Sequence, residues 1–462
     1  MKAGQIDFAD EKVGRNIMRA AVPMFAAQTV NLLYNIVDRI YIGKIPGEGV
    51  LALGGVGLCF PLVTLITAFA NLFGVGGAPL CAIERGRGNR KEAETIMGTS
   101  FAMLVYIGIL LTVLGILLHR PLLFLFGASE ATFPYASSYL VIYLLGTVFV
   151  MMALGMNPFI NSQGFARTGM TTVLVGAAAN LILDPIFIFG FHMGVSGAAV
   201  ATVLSQFLSA AWVVRFLTGE KAELKLRLRT LWRVKADTVF EIVKLGSSSF
   251  VMSFTDSLVQ VTCNSVLSRS GALGDVYISV MTVLNSIRQI AQTPVMAVTD
   301  GASPILSYNY GAKAYENVKK AIRFITLSCV GYTSIAWFFM FRFPEMFIRI
   351  FNQDEQLLLT AVPAMHVYFF AFLFMAFQYA GQATFKAMNK AGFAIFFSLL
   401  RKVVIVVPLT LLLPQVGRIG VMGVFLAEPI SNVIGGMACF LTMLHVVRNE
   451  LRADGKEAKK RK

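Results

Sequence analysis

TTVLVGAAANLILDPIFIFGF, residues 171–191, is an apolar run of membrane-crossing length with Asn180 and Asp184 set inside it. A bilayer core is spanned by about 20 consecutive apolar residues in a helix. An ionisable side chain at that depth costs about 2.5 to 3.5 kcal/mol on insertion scales, so its retention points to a function. Asn180 and Asp184 stand at i and i+4, which turns both toward one side of the helix.

The remainder of the chain has the same character. Of 462 residues, 56% are hydrophobic and only 14% charged, and the mean hydropathy is +0.70, which reads as a polytopic membrane protein. Twelve apolar stretches are long enough to cross. In the first half they cover 15–43, 50–83, 92–118, 132–160, 168–191 and 194–218. In the second half they cover 238–268, 275–309, 316–341, 356–385, 391–413 and 418–447. Several exceed the bilayer thickness, and Pro23, Pro61, Pro185, Pro294 and Pro408 supply candidate kinks. The polar start followed by a long first span argues against a cleaved secretory signal. Cys59, Cys81, Cys263, Cys329 and Cys439 lie in apolar surroundings without metal-ligand spacing, and read as small buried side chains.

The net charge of +15 follows from topology. With the N-terminus placed in the cytoplasm, 29 Lys and Arg fall on the inner side and seven on the outer. That excess predicts both termini inside, and nucleic acid is not needed to explain the basic balance. The tail Lys459-Lys460-Arg461-Lys462 reads as solvated or facing membrane lipid.

The halves repeat. Gly76-Gly77-Ala78-Pro79 matches Gly301-Ala302-Ser303-Pro304 at an offset of 225, and Gly194-Val195-Ser196-Gly197 matches Gly420-Val421-Met422-Gly423 at 226. Six spans separate equivalents, so both halves cross in one direction, as parallel repeats about an axis along the membrane normal do. The reading is an all-α integral membrane fold: twelve transmembrane helices in two pseudo-symmetric six-helix lobes. Its parts are a cytoplasmic N-terminus (1–14), an N-lobe (15–218), a basic cytoplasmic linker (219–236), a C-lobe (237–447) and a basic tail (448–462). Each lobe can seal its own core, so a monomer suffices.

A second acid belongs with the first. Gln28, Asn31, Tyr34, Asn35 and Asp38 form one polar stripe on the first span. At 1.5 Å of rise per residue, Asp38 lies roughly 8 Å below the outer face, Asp184 roughly 10 Å and Thr202 roughly 12 Å. Asp38, Asn180, Asp184 and Thr202 can therefore meet in the outer half of the first lobe. Two buried carboxyls side by side can take a proton, or clasp Na⁺ with the amide and hydroxyl oxygens completing the shell. The alternative is that each acid satisfies a polar neighbour and nothing more.

YNIVDRIYIG (34–43), GLCFP (57–61) and NLILDP (180–185) resemble the multidrug and toxic compound extrusion (MATE) family, most closely its DinF-like and MepA-like branch. The resemblance covers residues 10–447. It implies twelve helices in two lobes, and export of organic cations or amphipathic drugs in exchange for H⁺ or Na⁺, with no other cofactor. It also implies a first-lobe ion site at positions matching Asp38, Asn180, Asp184 and Thr202, and a kinking proline matching Pro23. Asp256 matches an acidic position of NorM-like members, but Met375 stands before Gln378 where those members carry a further acid.

In the second lobe Ser253, Asp256, Gln260 and Asn264 form a stripe, and Arg288 and Glu428 are also at membrane depth. Asp256 reads equally as an ion-pair partner of Arg288 or as a substrate contact. Arg401-Lys402 falls near the counterpart of Ala179 and Asn180, which makes the lobes chemically unequal. Candidates for an adaptable, cation-stacking cavity wall are Tyr34, Met281 and Gln289, with Asn31, Asn35, Asp256, Gln260 and Arg288 as polar contacts. His366 reads as a packed histidine. Gly74-Val75-Gly76-Gly77 lies inside a span, where small residues allow close helix packing and not phosphate binding. With no nucleophile constellation or paired-Cys spacing, an enzyme is not expected. A lipid-linked saccharide flippase remains the alternative, kept alive by Arg288, Arg401 and Lys402.

Overall fold

The computed structural model describes residues 4–460 except 46–48, 127, 228–233, 270–273, 352–354 and 418. The helices run α1 Val13–Gly43, α2 Gly49–Gly86, α3 Arg90–Leu125, α4 Phe133–Leu145, α5 Thr147–Ser162, α6 Ala166–Pro185, α7 Gly194–Thr218 and α8 Ala236–Ser268. They continue as α9 Gly274–Gly311, α10 Tyr315–Arg342, α11 Pro344–Arg349, α12 Glu355–Phe369, α13 Met375–Ala387, α14 Ala391–Leu399, α15 Val407–Leu412 and α16 Met422–Lys460. Two π-helical segments, Ile186–Gly190 after α6 and Leu400–Val406 between α14 and α15, interrupt the α pattern. There is no strand among the described residues.

Eight runs are long and apolar enough to cross a membrane, and two bent helix pairs make two further spans. The 33-residue α8 and the 38-residue α9 also have the length, and their polar stripes lower the hydropathy. Among the described residues twelve segments thus have the length to span, and ten of them are also apolar enough.

Pro23, Pro61 and Pro294 lie inside unbroken helices. The sharp bends are 58° between α4 and α5, at Gly146, and 42° between α12 and α13, beside Ala371. A Cβ on Gly146 would sit 2.5 Å from a Val203 methyl, so the break lets α7 approach the bend. Pro185 and Pro408 adjoin the π-helical segments, which re-register backbone hydrogen bonds around the missing donor.

The chain folds into two compact units, Met1–Asp10 with Met18–Phe250, and Glu11–Ile17 with Val251–Lys462. The division falls inside α8, not in segment 219–236. That segment's described part is tied down: Ala222, Leu224 and Leu226 are buried, and Gln163 Oε1 accepts from the amides of Glu223 (2.9 Å) and Leu224 (2.8 Å). Within the first unit, Gly74 lies where a Cβ would meet Gly155 O of α5 at 2.5 Å, and Gly76 faces Gly246 of α8. These glycines set the helix–helix distance.

The repeat is written into the backbone. Left-handed residues Gly88, Gly164 and Gly194 recur as Lys313, Asn389 and Gly420. Subtracting 88 from 313 and 164 from 389 gives 225, and 194 from 420 gives 226. The same turns close with matching bonds, Asn89 N to Glu84 O and Ala314 N to Asn309 O, both 2.9 Å.

All five cysteines are free and buried. His366 packs on Phe341, its Nε2 3.0 Å from that residue's carbonyl.

Candidate functional site

The first unit brings four helices to one point. Asn180 and Asp184 on α6 are 3% and 0% exposed, and face inward together as their i, i+4 spacing requires. Asn180 Nδ2 donates to Asp184 Oδ1 at 3.1 Å and reaches Thr202 Oγ1 of α7 at 3.5 Å. The Asp38 carboxyl, carried by α1, is a direct neighbour of Asp184, close enough to share a hydrogen bond. Asp184 Oδ2 is buried and receives no hydrogen bond among the described residues. Tyr139 of α4, itself 6% exposed, stands beside Asp38 and within hydrogen-bonding reach of Thr202. The sequence pattern does not single out Tyr139.

A cavity of about 50 Å³ adjoins this cluster, lined in part by Asn31, Tyr34, Asn157, Asn180, Thr202 and Ser205. Roughly 10 to 15 Å³ holds one water, so it has room for an ion and a few waters but not for a drug. Two apposed carboxyls in a buried site cannot both stay charged without a cation. A proton between them, or a hard monovalent cation ringed by carboxyl, amide and hydroxyl oxygens, fits this donor set. The described residues hold no group of three or more His, Cys, Asp or Glu suited to a transition metal.

The MatE family model matches residues 23–186 and again 249–412, more than half of the chain. The chain belongs to the MatE family. It is therefore a membrane transporter and not an enzyme. Both matches start and end 226 apart, since 249 less 23 and 412 less 186 agree. Among curated proteins this MatE chain is similar to "Multidrug export protein MepA" of Staphylococcus saprophyticus subsp. saprophyticus, 24% identical over 97% of each chain. Among solved structures it superposes on one titled "Outward-facing conformation of a multidrug resistance MATE family transporter of the MOP superfamily" with TM-score 0.89. That match is 21% identical over 98% of this chain and 100% of the other. A second, from Pyrococcus furiosus, has TM-score 0.89 and 21% identity over 98% and 99%; its title reads "Reverse polarity of binding pocket suggests different function of a MOP superfamily transporter".

The other expected residues of this MatE protein fall in different places. Asn31 and Tyr34 line the first-unit cavity, while the side chain of Asn35 lies outside the described residues. Pro23 is inside continuous α1. In the second unit Asp256, Gln260, Met281 and Arg288 line a separate cavity of about 20 Å³. Gln289 is exposed and does not line it.

The ion pairing there differs from the expected Asp256–Arg288 pair. Asp256 Oδ1 pairs with Lys402 Nζ at 3.1 Å, and Arg288 Nη1 with Glu428 Oε1 at 3.2 Å. Glu428, at 5% exposure, is the hub, also meeting Arg401 and Lys402 at 3.3 Å each. The register of Arg401-Lys402 also needs correcting. Offsets of 225 and 226 hold on either side, at Asn389 and Gly420, so Asn180 corresponds to Ile405 or Val406 and Asp184 to Leu409 or Thr410. Arg401 sits about one turn earlier, and no carboxylate repeats Asp184.

Proposed function

We propose that this MatE protein is a cation-coupled antiporter that exports organic cations or amphipathic drugs across the cytoplasmic membrane, with both termini inside. The observation that carries this reading is the apposition of Asp38 and Asp184, with Asn180 and Thr202 alongside. The names of the MepA relatives, multidrug export proteins, support drugs as the cargo. H⁺ or Na⁺ enters the carboxyl pair from outside, α1 bends near Pro23, and cargo leaves. Release of the ion inward then readies the transporter for new cargo. Only a difference in ion affinity between the two states can couple the gradients.

Proteoliposomes given a pH gradient alone, or a sodium gradient alone, test the scheme with a fluorescent organic cation. Uptake driven by one of the two is expected. Uptake equal with and without either gradient contradicts it.

A flippase of lipid-linked saccharides is the second reading, drawing on Arg288, Arg401 and Lys402. These cations already engage Glu428 and Asp256, and the cavity of about 20 Å³ beside them is too small for a diphosphate.

A further inference from the structure

Within the second unit, the start of α1 and residues 320–327 of α10 leave a groove of about 340 Å³ between them. That volume falls in the roughly 300 to 1,000 Å³ of small-molecule sites. The floor of the groove is apolar. Val13 is buried, and a Cβ on Gly14 would lie 2.8 Å from the Phe324 ring, so the bare glycine is what lets that ring seat against α1. The charged lining is Lys12, Arg15, Lys320 and Arg323 against Glu11 alone, and all five are exposed.

Depth gives the two cations of α10 their meaning. The 28 residues of this helix rise about 42 Å, the thickness of a bilayer with its headgroups. Lys320 and Arg323 then stand roughly 8 and 12 Å in from the helix start, at and just below the boundary between headgroups and acyl chains. Neither has an ion-pair partner among the described residues. Glu316, one turn before Lys320, pairs with Lys319 at 2.8 Å, and Lys320 acts on it from farther off. Lys12 and Arg15 make interactions of their own and add to the positive field. Beyond Arg323 the same side of α10 turns apolar: Leu327, Gly331, Ile335 and Phe338 are all exposed, three or four residues apart. A charged mouth leading onto an apolar track is the outline of an amphiphile.

We propose that this groove binds an anionic phospholipid, its phosphate held by Lys320 and Arg323 and an acyl chain laid along Leu327 and Ile335. The Arg323 guanidinium presents a fork that matches phosphate oxygens, and the long stems of both cations reach back to headgroup level. Four cations against one acid favour a lipid of net negative charge over a zwitterion, whose ammonium would meet the same cations. The assignment of this lipid to the cytoplasmic leaflet rests on the orientation proposed above; the binding itself does not.

The test uses full-length protein in neutral detergent and native mass spectrometry, with phosphatidylglycerol or phosphatidylcholine of the same chain length added in steps. One phosphatidylglycerol is expected to be retained at concentrations where phosphatidylcholine is not, and a photoactivatable phosphatidylglycerol should cross-link within 320–335. Lys320→Gln with Arg323→Gln should weaken phosphatidylglycerol binding about thirtyfold, the combined worth of two cations at an anionic surface. Lys91→Gln with Lys221→Gln removes two exposed charges of the first unit and should leave binding unchanged. Inorganic phosphate should not displace the lipid, because it lacks the acyl chain. No retained phosphatidylglycerol, equal retention of the two lipids, displacement by inorganic phosphate, or equal weakening in both double variants would overturn the proposal. Since no transport is measured, none of these results bears on the Asp38–Asp184 scheme.

Discussion

Asp184→Asn is expected to give a folded, membrane-inserted protein whose gradient-driven efflux falls to the level of membranes lacking the transporter. The amide keeps the oxygen that accepts from Asn180 Nδ2 at 3.1 Å, so the local hydrogen bond and side-chain volume survive. What disappears is the second of two apposed carboxyls, and with it the ability to bind a proton or cation at one charge state and release it at another. Asp38→Asn should have the same effect from the other side of the pair. Efflux of a fluorescent organic cation from energised cells reads the loss, with protein abundance measured alongside. Full efflux by either variant, at normal abundance, would contradict the coupling role.

Glu428→Gln is expected to affect stability more than any single change in the first-unit site. Glu428 meets Arg288, Arg401 and Lys402 at 3.2 to 3.3 Å, and removing its charge leaves the buried Arg401 and Lys402 and the partly buried Arg288 facing Asp256 alone. Breaking a buried ionic network by deleting one partner costs about 3 to 5 kcal/mol. Thermal unfolding of the detergent-purified protein should show a large drop in midpoint. The double variant Glu428→Gln, Lys402→Met restores the original charge excess and should recover part of it. A single variant as stable as wild type would mean that Glu428 does not hold the three cations together.

Much of this was legible in the chain because membrane depth makes polar residues conspicuous. Asn180 and Asp184 stand out in an apolar run, and their spacing alone puts them on one side of α6. The Asp38 stripe was visible for the same reason. What periodicity does not give is the partner across a helix interface. Tyr139 lies within FPYASSYLVIYLL (133–145), where nothing separates it from its tyrosine neighbours; only the packing of α4 against α7 brings it to Thr202. Glu428 meets Arg288, Arg401 and Lys402 across sequence separations that no motif spans.

The break at Gly146 is hidden in the sequence for a related reason. Proline removes one donor that neighbours can compensate, whereas the break at Gly146 answers to Val203 of another helix. The segment after α7 alternates buried Ala222, Leu224 and Leu226 with Glu223 and Lys225, an apolar side that its basic composition masks in the sequence.

The central claim is that the Asp38–Asp184 pair binds the coupling cation in competition with cargo. Its most direct measurement is cation release from purified transporter on adding drug, by proton release in weakly buffered solution and by displacement of radioactive sodium. The wild-type protein should release one of the two ions on binding drug, and Asp38→Asn and Asp184→Asn should bind drug while releasing neither. Release undiminished in both variants would place the coupling site elsewhere.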